Sequence, residues 1–499
     1  DGPTPQTHGE RSIMFDLIIR NGAVIDGSGA ARARADVGIV GQRIHAVGDL
    51  AAEPARREID AAGLIVAPGF IDAHAHDDRL LLSSPDMTPK LSQGVTTVVT
   101  GNCGISLAPM PRPVPQPVTP PLDLLDRDGQ WYRFDSFAQY LETLRDAPPA
   151  INFAPLVGHT TLRVVAMDDV LAPATDSEIA HMRRLAEQAL QAGAIGISTG
   201  LAYTTAMPAT TDEVVQVCAS LRAFDGIYCT HMRNESDHSM ESLAEAFEIG
   251  RRLDVPVVIS HHKLTGPRNF GRSRETLPFI QRTMQTQPVC LDCYPYLAGS
   301  TVLEVWRIQR CERVIITWST PHPEFAGREL DDIAAELGIS REAAAERLMP
   351  GGAIYFQMDE QDVERILSFD PTMIGSDGLP HDARPHPRLW GAFPKILGHY
   401  VRTRGLFSLE AAVHKMTGLT AGNFGFPDRG LIRPGAFADI TIFDADTIDA
   451  GSDYGSETAH AHGIAHVLVN GELAWTQGAG TGSRTGTRVG RQAGQGRAP

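Results

Sequence analysis

No apolar run in this chain approaches the ~20 residues a membrane helix needs, because Gly, Pro or charge interrupts each one. Cysteine is scarce: six residues, at 103, 218, 229, 290, 293 and 311, are scattered through 499 without a dense framework. That usage fits a reducing cytosol better than a disulfide-built secreted domain, and a cytoplasmic location is expected. Basic excess is missing too. A net charge of −16 argues against a nucleic-acid or anionic-membrane partner. It leaves an anionic small molecule open, since a local cluster of Arg and Lys can oppose the global sign. Residues 1–13 have no apolar core, so they read as a disordered leader rather than a secretory signal. The last stretch, "GAGTGSRTGTRVGRQAGQGRAP" (478–499), is rich in Gly and Arg and holds no acid, which predicts a flexible tail. Oligomeric state has no signature here.

What is present is alternation. Short apolar runs recur between amphipathic segments: "LIVAPGFIDAH" (64–74), "TTVVTGNCG" (96–104), "INFAPLVGH" (151–159), "AIGISTGLAY" (194–203), "GIYCTHMR" (226–233), "VPVVISHHK" (255–263), "PVCLDCYPY" (288–296) and "TMIGSDG" (372–378). Val- and Ile-rich runs bounded by turn residues suit strands buried on both faces, as in a parallel sheet. "DSEIAHMRRLAEQALQAG" (176–193) reads as a helix capped by Asp or Ser and stopped at Gly193. Eight strands joined by crossovers predict a (β/α)₈ barrel over residues 68–421. The rival, a doubly wound open sheet, lacks a Gly-rich dinucleotide fingerprint after its first strand.

The flanks have another texture. "DLIIRNGAVIDG", "DVGIVGQRIHAVGD", "GAFADITIFDAD" and "HVLVNGELAW" are short strands split by Asn-Gly, Asp-Gly or Gly-Gln turns. They predict a small β-sandwich domain built from both ends, residues 14–67 and 422–477. An insertion at about 297–358, with its own helical run "GRELDDIAAELGISREAAAERL", is too long for an ordinary connection and suits a lid or pocket wall.

In "GFIDAHAHDD" (69–78), His74 and His76 share one face of a strand. By themselves they are either a metal clamp or two loop histidines. Barrel chemistry sits at the C-terminal ends of strands, and the unusual residues of the other runs fall there as well: Cys103, His231, His261 and Asp377. Each has a bland reading: a hydrogen-bonded loop histidine, a small buried thiol for Cys103, a helix cap for Asp377. Six of them at one rim point to a metal site. Imidazole with thiolate suits Zn²⁺, and three protein ligands leave a fourth position for water, as in catalytic zinc. Such a water ionises at roughly pH 7, and Asp377 is placed to take its proton and pass it to a leaving group.

"FIDAHAHDD", "GVTTVVTGNCGIS", "THMRNE", "SHHK", "DCYPY" and "GSDGLPHDARPHPRLWG" together resemble the D-aminoacylase family of the amidohydrolase superfamily, from about residue 15 to about 475. The resemblance implies a zinc-dependent (β/α)₈ hydrolase that cleaves N-acyl-D-amino acids to a carboxylate and a free D-amino acid. It implies a tight zinc site of Cys103, His231 and His261, with His74, His76 and Asp377 at a weaker neighbouring position. Strand alternation makes His261, not His262, the ligand. It further implies that Lys263, Tyr294 and Arg388 grip the substrate α-carboxylate, for which a point charge, a hydroxyl and a bidentate fork are suitable groups. Without it, Tyr294 reads as core packing and Arg388 as a surface ion pair.

The likeness is closest to the members acting on acidic substrates, the N-acyl-D-aspartate and N-acyl-D-glutamate deacylases, and leans toward aspartate. It places Arg307 of "GSTVLEVWRIQRCERV" (299–314) against the side-chain carboxylate, with Arg310 and Arg313 as nearby substitutes. The bland reading makes all three solvated helix charges. Alternatives are a glutamate or broad-specificity D-aminoacylase, a cyclic amidohydrolase of the hydantoinase or dihydropyrimidinase kind, and a non-catalytic barrel.

Overall fold

The eight apolar runs become eight parallel strands of one sheet: β1 Phe70–Asp72, β2 Val95–Thr100, β3 Asn152–Gly158, β4 Gly196–Gly200, β5 Ile227–His231, β6 Val257–Ile259, β7 Val289–Cys293 and β8 Thr372–Ile374. This is a computed structural model that describes residues 14–492, so the leader expected at 1–13 lies outside the described residues. Neighbours in sequence are neighbours in the sheet. The sheet closes because Ala73 N donates to Ile374 O at 3.1 Å and Ala75 bridges Gly378, joining β1 to β8. The fold is a (β/α)₈ barrel.

Every residue of the eight strands is buried, which explains their continuous rather than alternating hydrophobicity. One set (Val98, Val157, Ile197, Tyr228, Val257) packs outward on the helices. The other (Val99, Leu156, Ile227, Cys229, Val258) packs together in the interior. The helix after β3 spans Asp176–Ala192 and stops at Gly193 (φ 120°). Its cap is Thr175 rather than the expected Asp or Ser: the hydroxyl accepts from Glu178 N while Glu178 accepts from Thr175 N, a reciprocal capping box. No helix among the described residues is long and apolar enough to cross a membrane.

Strands from both chain ends form a separate nine-stranded sheet, with Arg43–Gly48 at one edge and Ala479–Gly480 at the other. Its own core includes Leu17, Ile39, Ile440 and Leu468. The Gly41-Gln42 and Asn470-Gly471 pairs make tight turns, but Asn21-Gly22 does not. Leu17–Val24 runs straight through it, with Asn21 at φ 62° and a register shift between Ile19 and Gly22, so the pair is a bulge within one strand.

The expected insertion lies between β7 and β8 and carries a three-stranded sheet that its helical pattern does not announce: Ala298–Val302, Arg313–Ser319 and Gly351–Phe356. Its helical run is two helices, Leu330–Leu337 and Arg341–Leu348, split where Gly338 turns left-handed (φ 65°) and Ser340 caps the second.

The tail expectation needs correction. Residues 486–492 are docked on the barrel floor: Phe153 N donates to Thr487 O (3.1 Å) and Val489 N to Phe153 O (2.8 Å). Val489 is buried in the interior cluster beside Phe424 and Phe426. Arg491 donates to the carbonyls of Asp225, Asn423 and Phe424. Composition alone reads this segment as flexible because its partners lie far away in the chain.

Candidate active site

The six residues at the strand ends meet at the C-terminal mouth of the barrel, all at least nine-tenths buried. Donor atoms of His74, Cys103, His261 and Asp377 all lie within 4.8 Å of one another. Cys103 Sγ stands 3.2 Å from His74 Nε2 and 3.3 Å from His261 Nε2. His76 Nε2 is 3.2 Å from Asp377 Oδ1, and His74 Nε2 is 3.5 Å from the same oxygen. His231 stands to one side. Its ring is 4.4 Å from that of His261, centre to centre, and it groups with His261 and Glu235 rather than directly with Cys103. His262 turns away to Thr276 Oγ1, at 2.9 Å.

Local backbone geometry aims these side chains. Cys103 (φ 54°), His261 (φ 35°) and Asp377 (φ 51°) are all left-handed, a conformation that costs a non-glycine residue about 1–3 kcal/mol. Three such residues converging on one point mark a site for which strain is tolerated. The "GNCG" block has a steric reason. A Cβ on Gly101 would sit 2.0 Å from Leu156 O, and one on Gly104 would sit 2.8 Å from Gly200 N. Only glycine lets this loop thread between neighbouring strands and carry Cys103 inward.

The donor set fits a divalent metal. Burial drives His74 down to about 3 and His231 to about 4, so both imidazoles are neutral at pH 7, the form that ligates. Both ring nitrogens of His231 are buried without a hydrogen-bond partner. Burial, and then the Asp377 charge, pushes the Cys103 thiol well above its ordinary range. A bound cation reverses that logic and favours the thiolate. Burial would also raise Asp377, but Arg388, His261 and the hydrogen bond from His76 outweigh it and hold the carboxyl well below the usual range.

A model of the amidohydrolase family matches residues 57–279 and 321–474. A D-aminoacylase of Alcaligenes xylosoxydans xylosoxydans is 56% identical over 96% of this chain and 98% of its own length. The chain belongs to the D-aminoacylase group of the amidohydrolase family. An N-acyl-D-aspartate deacylase of the same organism is 52% identical over 92% of both chains. An N-acyl-D-glutamate deacylase from Bordetella bronchiseptica, solved with zinc and a phosphonate mimic of the tetrahedral intermediate, is 46% identical. It superposes with a TM-score of 0.92 over 96% of this chain and all of its own. This protein is accordingly a metal-dependent amidohydrolase.

In this amidohydrolase the acids of "DAHAHDD" serve the histidines from behind. Asp72 Oδ1 accepts from His74 N (3.1 Å) and Ser376 N (2.8 Å), binding the ends of β1 and β8 together. Lys90 Nζ, fully buried, reaches Asp72 (2.7 Å), Asp77 (3.3 Å) and Ser376 Oγ (2.9 Å). Asp78 Oδ2 accepts from Gly101 N at 3.1 Å, holding the loop that presents Cys103. Asp292 Oδ1 accepts from His261 N (2.9 Å) and lies 3.5 Å from His74 Nδ1.

Glu235 is absent from the sequence-based candidates, although its spacing four residues beyond His231 in "THMRNE" is an available signal. Its carboxylate lies 3.0 Å from His261 Nδ1, 3.5 Å from His231 Nε2 and 2.8 Å from Lys263 Nζ. Arg388, fully buried rather than a surface ion pair, places Nη1 2.9 Å from Asp377 Oδ2. Its guanidinium lies 4.6 Å from the centre of the Tyr294 ring, whose buried hydroxyl has no partner. Arg307 is nine-tenths buried and bonded to Glu304, Arg310 donates to Ser236, and Arg313 is an exposed partner of Glu329. Arg310 is exposed as well, and Arg313 begins a strand rather than lying on a helix, so the solvated reading holds for these two and fails for Arg307.

Proposed function

We propose that this enzyme is a zinc-dependent deacylase that hydrolyses N-acyl-D-amino acids, N-acyl-D-aspartate among them, to a carboxylate and the free D-amino acid. The observation that carries the reading is the convergence of Cys103, His74, His261 and Asp377 within 4.8 Å at the barrel mouth. Cys103 and His261, with His231 beside them, are the tight zinc ligands in this reading; His74, His76 and Asp377 line the adjacent position. The chemistry zinc would supply is polarisation of the acyl carbonyl and acidification of water. Asp377, held ionised, accepts the proton of the attacking water and delivers it to the departing amine. Arg388 fixes that carboxylate through Oδ2, leaving Oδ1 toward the histidines. Lys263, Tyr294 and Arg388 form a cationic, hydrogen-bonding cradle for the substrate α-carboxylate, and Arg307 faces the side chain.

One observation favours a broader side-chain range than acidic substrates alone: Arg307 already holds an internal carboxylate, with Nε 2.6 Å from Glu304 Oε2. All six cysteines are free and buried, which supports a cytoplasmic location. The test is a panel of N-acetyl-D- and N-acetyl-L-amino acids with zinc-replete enzyme, alongside zinc analysis per chain. Release of D-amino acids with about one zinc or more per chain is expected. No turnover of any D-substrate, or zinc-loaded turnover of cyclic amides instead, would overturn the reading.

A further inference from the structure

We propose that Glu304 is a specificity-determining residue. As a fixed internal partner of Arg307, it lets the side-chain pocket accept uncharged D-side chains as well as carboxylates. The inference rests on the deacylase reading above.

The first strand of the insertion, Ala298–Val302, connects the metal-ligating cluster to this pair. Ser300 O accepts from Arg388 Nη2 at 3.1 Å. The next residue, Thr301, donates from Oγ1 to Tyr203 OH at 3.4 Å. The Tyr203 ring lies edge-on to His231, 5.2 Å between centres. Two residues past the strand comes Glu304, then the short helix Val305–Ile308 that carries Arg307. Tyr203 thus spans the distance from a metal-ligating imidazole to the wall on which Arg307 sits.

Both oxygens of Glu304 are engaged. Oε2 accepts from Arg307 Nε at 2.6 Å, and Oε1 accepts from Thr204 Oγ1 at 3.0 Å, on the loop after β4. Its backbone N donates to Tyr355 OH at 3.2 Å, and that hydroxyl donates to Val302 O at 2.8 Å. The Trp306 ring centre lies 4.3 Å from the Arg307 guanidinium carbon, within cation–π range. Arg307 Nη2 is left buried and without a partner.

The other two substrate-facing cations also touch acids, Lys263 on Glu235 and Arg388 on Asp377, but those acids face the cluster of ligating imidazoles as well. Glu304 faces none of them, so its tie to Arg307 is independent of metal loading. A bare buried arginine would penalise a neutral substrate by leaving the cation unpaired. Glu304 removes that penalty and weakens the pull on a second carboxylate, while Nη2 remains as a donor. Discrimination is a difference of affinities, and here one residue narrows it from both sides.

The test is the ratio of kcat/KM for N-acetyl-D-aspartate to that for N-acetyl-D-methionine in wild type, E304Q, E304D and the double variant E304Q/R307L. E304Q keeps an acceptor for Nε but removes the charge, and should raise the ratio roughly tenfold. E304D should return it toward wild type, and the rise should vanish in E304Q/R307L. Should E304Q prove unstable, E304A, which removes the same charge, should move the ratio the same way. An unchanged or lowered ratio in a variant that still deacylates overturns the proposal while leaving the deacylase reading intact, as does a rise that persists without Arg307. A wild-type enzyme that deacylates neither substrate nor any other N-acetyl-D-amino acid overturns that reading itself.

Discussion

Lys90 and Asp72 form an ion pair of 2.7 Å with neither side chain exposed to water. Asp72 in turn holds the backbone of His74 and Ser376, so this pair fixes where the histidines and Asp377 stand. Removing one partner of a buried pair leaves an uncompensated charge. Lys90→Met should therefore destabilise the fold by about 3–5 kcal/mol in urea unfolding and lower zinc content per chain. Full stability with normal zinc content would show that the pair is dispensable.

Asp377→Asn keeps the shape of the side chain but removes the proton acceptor and the partner of Arg388 Nη1. Turnover should fall roughly 10²–10⁴-fold while zinc is retained on Cys103 and its imidazoles. Metal analysis with steady-state kinetics checks this. A zinc-loaded, active variant would count against the role given to Asp377.

Glu213 predicts a pH dependence of stability away from the metal centre. Burial would raise its carboxyl, yet the hydrogen bonds from His159 and Arg163 dominate and lower it from 4.5 to about 2. The folded state therefore favours the ionised form. That contribution is complete above about pH 4.5 and is lost as the pH falls toward about 2. In Glu213→Gln, urea midpoints measured across this window should fall less steeply with acid than in wild type.

Val489 is buried among barrel-interior residues at the floor. Val489→Asp would bury an unpaired carboxylate there and should cost more than about 3 kcal/mol, read as a drop in Tm and urea midpoint. Wild-type stability in this variant would restore the view of residues 478–492 as a flexible tail.

The barrel and the separate terminal β-sheet are legible in the sequence because both rest on local rules. Buried parallel strands need unbroken apolar runs between helices, and tight turns need residues that tolerate positive φ. The chemical types at the strand ends are legible too, since imidazole, thiolate and carboxylate are rare at such positions without cause. Asn21-Gly22 shows the limit of those rules, because the same dipeptide suits a hairpin or a bulge until a partner strand fixes the register.

By itself the sequence determined the barrel, the strand-end places of His74, His76, Cys103, His231, His261 and Asp377, and the position of the insertion. Only the tertiary structure decided which atoms meet. It seated Glu235 between His231 and His261, set Lys90 behind the histidines, docked Val489 on the floor and tied Glu304 to both Arg307 and Thr204. The reason is that most of these contacts join residues far apart in the chain, and a contact's energy depends on distance and burial, which composition and spacing do not carry.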